Sequence, residues 1–139
     1  DTDTMLAVKT GFERGYDRFI IYGGGGGRPD HTFANYQTLC YISRRGGRGY
    51  LCFNGYTACC ITDGEMNFTA REGTLSVFAM SGKAEGVTLR GVLYPLESTV
   101  LSYDFPLGVS NEFTGKPATV SVKKGTLLVI WQGSADAPE

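Results

Sequence analysis

His31 is the only histidine in the chain, so any general-base or triad chemistry must run through it. Asp30 precedes it directly. On an extended segment neighbouring side chains point to opposite sides, which makes Asp30 a poor orienting group for the imidazole. A nucleophile would have to come from Ser43, Ser81, Ser102 or Thr32, and none of these lies in a Gly-x-Ser-x-Gly context. A hydrolytic site, if the chain has one, therefore uses His31 as base with Asp30 beside it, and no complete catalytic set is present. One histidine and four cysteines do not make a zinc site when Cys59 and Cys60 face opposite sides of a strand. No metal and no cofactor are expected.

Two loops carry the remaining chemistry. Residues 23–27 are five consecutive glycines, followed by Arg28, Pro29, Asp30 and His31. A run of backbone N–H groups can make an anion nest. The run lacks the Lys-Ser/Thr of a P-loop and the spacing of a dinucleotide fingerprint, so it reads as an exposed loop. The second loop, residues 43–49, holds Arg44, Arg45 and Arg48 among glycines, in the style of an RGG box. One copy in a chain with thirteen basic and fourteen acidic residues argues against nucleic acid as a partner. Arg28, Asp30, His31, Arg44, Arg45 and Arg48 are the expected contact residues. Eight tyrosines and one tryptophan exceed what a core of this size needs, and those near glycine-rich loops suit stacking on sugars or on protein partners.

The elements that must position these loops read as strands. Twenty glycines and five prolines in 139 residues, with 12% aromatics, suit short strands and turns. Asn54-Gly55 separates 50–53 from 56–62 and predicts a type I′ hairpin. Asp63-Gly64 repeats the device before 65–70, and Arg71-Glu72-Gly73 leads into 74–80, giving a central four-strand antiparallel meander. Further strands are expected near 4–12, 16–22, 33–42, 87–94, 98–105, 119–123 and 126–131, the last two joined by a turn at Lys123-Lys124-Gly125. No window of ten or more residues shows a capped helical period. About ten strands must pack as two sheets or close into a barrel. The expected fold is all-β, an antiparallel β-sandwich or jelly-roll-like domain over residues 1–133, with a flexible tail at 134–139.

Hydrophobic residues make up 42% of the chain and charged ones 19%, which excludes intrinsic disorder. The longest aliphatic run, from Leu127 to Trp131, is far short of a membrane span. Cys40, Cys52, Cys59 and Cys60 show no disulfide framework and read as buried free thiols, pointing to a reducing compartment. The chain starts at Asp1, with Met5 its first methionine, and reads as a processed piece or excised domain of a larger parent.

The glycine- and tyrosine-rich composition, the reduced cysteines, the missing start methionine and the terminal Ala137-Pro138-Glu139 together resemble the protruding domain of a small RNA-virus capsid protein of the picorna-like, iflavirus type. Members of that group carry an Asp-His-Ser constellation. Here Asp30 and His31 correspond, and Thr32 stands where the serine would be. The resemblance implies a non-enzymatic recognition module on the virion surface, with capsid subunits or a parent chain and a host receptor or glycan as partners. Secretion or cell-surface display is the expectation otherwise. The alternatives are a small esterase-like hydrolase using His31 and a structural or oligomerisation domain of a larger assembly.

Overall fold

The computed structural model describes residues 1–23 and 27–133. Gly24, Gly25 and Gly26 of the glycine run, and the tail at 134–139, lie outside the described residues. Two helices and ten strands follow one another in the order α1 (Asp3–Glu13), β1 (Arg18–Tyr22), α2 (Pro29–Arg44), β2 (Arg48–Phe53), β3 (Tyr56–Thr62), β4 (Glu65–Phe68), β5 (Thr74–Ala79), β6 (Lys83–Arg90), β7 (Leu96–Ser102), β8 (Asn111–Glu112), β9 (Ala118–Ser121) and β10 (Thr126–Gln132). The strands form a six-stranded sheet in the order β1-β2-β3-β10-β5-β8 and a four-stranded sheet in the order β4-β9-β6-β7.

The chain is thus mostly β in two packed sheets, and it is not all-β. Residues 4–12 and 33–42, expected as strands, are helical. In α1, the Thr2 hydroxyl accepts the Met5 N–H at 3.1 Å and so caps the amino end. Pro29 opens α2 at a position where its missing N–H costs nothing. The buried side of α2 is Asn35, Thr38, Leu39, Ile42 and Ser43, spaced i, i+3, i+4, i+7, i+8. Three of those five are polar, so a hydropathy pattern does not reveal the stripe. Thr38 and Ser43 have hydrogen-bond partners. Thr38 Oγ1 donates to the Ala34 carbonyl at 3.1 Å, and the Ser43 hydroxyl meets Thr62 Oγ1 at 2.7 Å.

Strands β1 and β2 run parallel, in register from Arg18↔Arg48 to Tyr22↔Cys52, with α2 as the crossover between them. The Asn54-Gly55 hairpin is present as expected: both residues have positive φ (50° and 78°), and Phe53 pairs with Tyr56. The four-strand meander is not. After β3 the chain turns at Asp63-Gly64 into the second sheet, where β4 pairs with β9, and β5 returns to the first sheet beside β10. The residues at Lys123-Lys124-Gly125 likewise carry the chain from β9 in one sheet to β10 in the other, so they close no hairpin. Alternation within each strand was legible, but partner choice depends on which face each strand must bury, and turn residues alone do not encode that. No jelly-roll order appears.

Two apolar layers result. Between the sheets lie Tyr50, Cys59, Met66, Phe68, Leu75, Val77, Val87, Leu89, Val120, Leu127, Val129 and Trp131 with their neighbours. On the outer face of the larger sheet, Leu39 of α2 packs on Leu51, Ala58, Cys60 and Leu128. Gly49 lets α2 approach β2, since a Cβ there would sit 2.6 Å from Ile42 Cδ1. No helix among the described residues is long and apolar enough to cross a membrane.

Candidate functional site

The topology brings Arg28, Asp30 and His31 to one end of the molecule. Strand β1 is followed by the glycine run and then by the amino end of α2, so Arg28, Asp30 and His31 stand at the carboxyl end of the parallel pair β1 and β2. Helix α1 leads into β1 through the short turn at Gly15 and packs on α2 through Phe12 and Tyr41, whose ring centroids are 6.3 Å apart. The carboxyl end of α1, at Phe12, therefore lies beside the carboxyl half of α2, at Tyr41. Crevices outside the carboxyl ends of parallel strands are where open α/β sheets bind ligands, and a helix amino terminus there presents free N–H groups and a positive dipole end to an anion.

Asp30 and His31 occupy the first turn of α2 rather than an extended loop. Arg28 Nη2 donates to Asp30 Oδ2 at 2.8 Å. That guanidinium, more than anything else, holds the Asp30 carboxyl below its ordinary value, and the His31 backbone N–H adds to the effect. Among the described residues Asp30 is thus hydrogen-bonded to Arg28 and makes no hydrogen bond to the His31 imidazole. Lys9 Nζ meets Asp1 Oδ2 at 2.6 Å along α1. Among the described residues no three His, Cys, Asp or Glu side chains gather into a metal site.

The other three arginines expected as contact residues lie elsewhere. Arg44 and Arg45 end α2, about 24 Å from its start at 1.5 Å per residue. The Arg45 guanidinium sits 4.4 Å over the Tyr41 ring, and Arg48 Nη2 reaches the Glu65 carbonyl at 3.4 Å. The glycines around them have structural work: Gly46, at φ 80°, ends α2, and Gly47 and Gly49 allow close packing. The loop read in the style of an RGG box is a helix terminus.

Two openings adjoin the amino end of α2. A cavity of about 350 Å³ is lined by Gly27, Arg28, Pro29, Thr32, Phe33, Tyr36 and Phe53. A larger apolar one of about 620 Å³ is lined by residues including Phe33, Tyr36, Phe78, Met80 and Tyr103. Phe33 and Tyr36 line both, so the two openings flank the first turns of α2. Sequence reasoning missed Phe33, Tyr36 and Tyr103 as a group because it placed the first two on a strand. Cys40 and Cys60, treated as unrelated, meet here at 3.3 Å between sulfurs. All four cysteines are free thiols.

Comparison with known proteins points in one direction. Residues 64–127 match the family described as thiamin pyrophosphokinase, vitamin B1 binding domain. The thiamine pyrophosphokinase of Bacillus subtilis is 29% identical over 131 residues, covering 93% of this chain and 61% of that protein. The crystal structure of the B. subtilis protein superposes with a TM-score of 0.87 at 27% identity, covering 96% of this chain and 64% of that one. A thiamin pyrophosphokinase family protein of Enterococcus faecalis gives 0.77 at 26% identity, covering 96% and 64% respectively. The chain spans about three-fifths of the length of these relatives. Its fold is that of the corresponding part of thiamine pyrophosphokinases.

These likenesses overturn the resemblance to a viral capsid protrusion, which rested on composition and chain ends alone. The expectations of a non-enzymatic recognition module, of an esterase-like hydrolase and of a structural domain in a particle fall with it. So do the capsid-subunit, host-receptor and glycan partners, and the placement on a virion, at the cell surface or in the secreted fraction. The relatives are named as enzymes that act on thiamine.

Proposed function

We propose that this chain belongs to the thiamine pyrophosphokinases and takes part in transfer of a diphosphoryl group from ATP to the hydroxyl of thiamine. In that reaction the hydroxyl oxygen attacks the β-phosphorus, the bond between the α- and β-phosphoryl groups breaks, and AMP leaves with the electron pair. The hydroxyl proton passes to a base or to water.

The observation that carries this reading is the location of Arg28, Asp30 and the amino end of α2 at the carboxyl edge of β1 and β2, in a chain that superposes on the B. subtilis enzyme over nearly its whole length. The helix start and the Arg28 guanidinium supply donors for phosphate oxygens. Asp30 acts as a positioning residue that fixes the guanidinium. The apolar cleft of Phe33, Tyr36, Phe78, Met80 and Tyr103 has the size and lining for a small aromatic cation, whose charge is favourable over tyrosine faces. It shares Phe33 and Tyr36 with the opening that Arg28 lines. The described residues form no dedicated cation cage. A divalent ion travelling with ATP is held largely by phosphates and water, with one or two carboxylates.

The test is steady-state kinetics of the purified protein with ATP and thiamine. Arg28→Ala removes a charge-assisted contact, for which a loss of about 1.5–3 kcal/mol, or roughly 10–150-fold in kcat/KM, is expected. Tyr103→Ala is expected to raise KM for thiamine and leave KM for ATP unchanged. Wild-type kinetics in both variants would remove the site from this end of α2.

A further inference from the structure

The geometry points to Cys40 and Cys60 as a peroxide-oxidisable dithiol that closes to a disulfide between α2 and β3. Their sulfurs lie 3.3 Å apart across the helix–sheet seam, against about 2.05 Å in a disulfide, so a small side-chain adjustment would bring them to bonding distance. The two differ in access. Cys40 is half-buried and lines the 620 Å³ apolar cavity, whereas Cys60 is 1% exposed. A small oxidant therefore reaches Cys40 first.

The roles follow from the surroundings. Cys60 can donate its S–H to the Cys40 sulfur, and Arg44, one helical turn further along α2, adds positive charge. Both favour the Cys40 thiolate against the opposing effect of burial. Cys60 lies in an apolar layer and is pushed up by that same hydrogen bond, by burial and by its neighbouring cysteines, so it remains a thiol. The Cys40 thiolate attacks one oxygen of hydrogen peroxide; an S–O bond forms, the O–O bond breaks and hydroxide leaves. The Cys60 sulfur then displaces that oxygen as water once its proton is transferred, forming the S–S bond. Two thiols are oxidised and one peroxide is reduced to two waters. A dithiol reductant reverses the step by exchange.

Cys52 and Cys59 are not part of the pair. Cys59 points to the inter-sheet layer, where burial raises its thiol to about 12. Cys52 is raised chiefly by burial as well. The inference does not depend on the substrate assigned above.

Purified protein is treated with hydrogen peroxide, quenched by alkylation and mapped as peptides without reduction. The expected result is a single intramolecular cross-link between residues 40 and 60, a fall from four free thiols to two, and restoration by dithiothreitol. The bond closes a loop of about twenty residues, and the oxidised protein is expected to melt about 5–10 °C higher. Cys40→Ser and Cys60→Ala abolish the cross-link, and Cys52→Ser, at a half-buried site, leaves it intact. If Cys60→Ala fails to fold, Cys40→Ser and Cys52→Ser still decide the matter. Peroxide treatment that leaves all four thiols free overturns the inference. So does oxidation of Cys40 to sulfinic acid without a cross-link, or a disulfide involving Cys52 or Cys59.

Discussion

Leu39→Ala tests whether α2, and with it the proposed phosphate end, is held by a thin apolar seam. Leu39 is fully buried against Leu51, Ala58, Cys60 and Leu128. Of its companions on the buried stripe only Ile42 is aliphatic, while Thr38 and Ser43 contribute hydrogen bonds. Leucine-to-alanine changes in cores cost about 2–5 kcal/mol, and the position in that range depends on how far the site can collapse. Here collapse is blocked. A Cβ at Gly49 would stand 2.6 Å from Ile42 Cδ1 and 3.3 Å from Leu39 Cδ2, so the helix already rides on the backbone of β2. The cavity stays open, and a loss of about 3–5 kcal/mol is expected, which is about 10–20 °C in Tm for a chain of this size. Thermal unfolding followed by circular dichroism reads the first quantity. Hydrogen exchange reads the second, with amides of residues 29–44 losing protection before those of β10. A Tm change under about 3 °C, or loss of protection first in the strands, would refute the argument that Leu39 is what docks α2.

Other consequences are equally direct. Gly91 has φ 75°, and a Cβ there would meet the Pro117 carbonyl at 2.1 Å, while Gly15 has φ 87° with open space around it. Gly91→Ala is therefore expected to cost about 2–5 kcal/mol and Gly15→Ala about 1–2, as read from denaturant midpoints. Cys59 is raised to about 12 from 9.0, chiefly by burial. Its neutral thiol favours the folded state fully below pH 9, and the advantage is lost as pH rises from 9 through about 12, because the unfolded chain ionises first. Wild-type stability should fall across that window by up to about 1.4 kcal/mol per pH unit from this group, and Cys59→Ala should flatten the slope. Asp30 is shifted the other way, so its contribution is present above pH 3.8 and lost as pH falls through its lowered value. An NMR titration should place the Asp30 midpoint below 3.8 in the wild type and return it towards 3.8 in Arg28→Ala.

The sequence made some of this legible and hid the rest for physical reasons. The Asn54-Gly55 hairpin was readable because two adjacent positive φ angles restrict the residue types to very few. The β-rich character was readable from turn spacing and from alternation such as Leu75, Val77 and Ala79. The helices were not, because α2 buries Asn35, Thr38 and Ser43 beside only two aliphatics, and α1 buries Val8 alone. Placing 33–42 on a strand then concealed the parallel β1–β2 pair, and with it the crevice lined by Arg28, Phe33 and Tyr36. It also separated Cys40 from Cys60, which become neighbours only when α2 lies across β3. The residues singled out for chemistry, Arg28, Asp30 and His31, do stand together, but as a helix start rather than as an exposed recognition loop. Reading identity from composition and chain ends failed because neither is tied to any site geometry.

The most direct test of the central claim is product analysis. Purified protein incubated with ATP, a divalent cation and thiamine is followed by phosphorus NMR and chromatography. Thiamine diphosphate and AMP appearing in equal amounts, with no ADP and with a loss of at least tenfold in Arg28→Ala, is the predicted result. Release of ADP or inorganic phosphate without AMP, or full activity in that variant, would contradict the account.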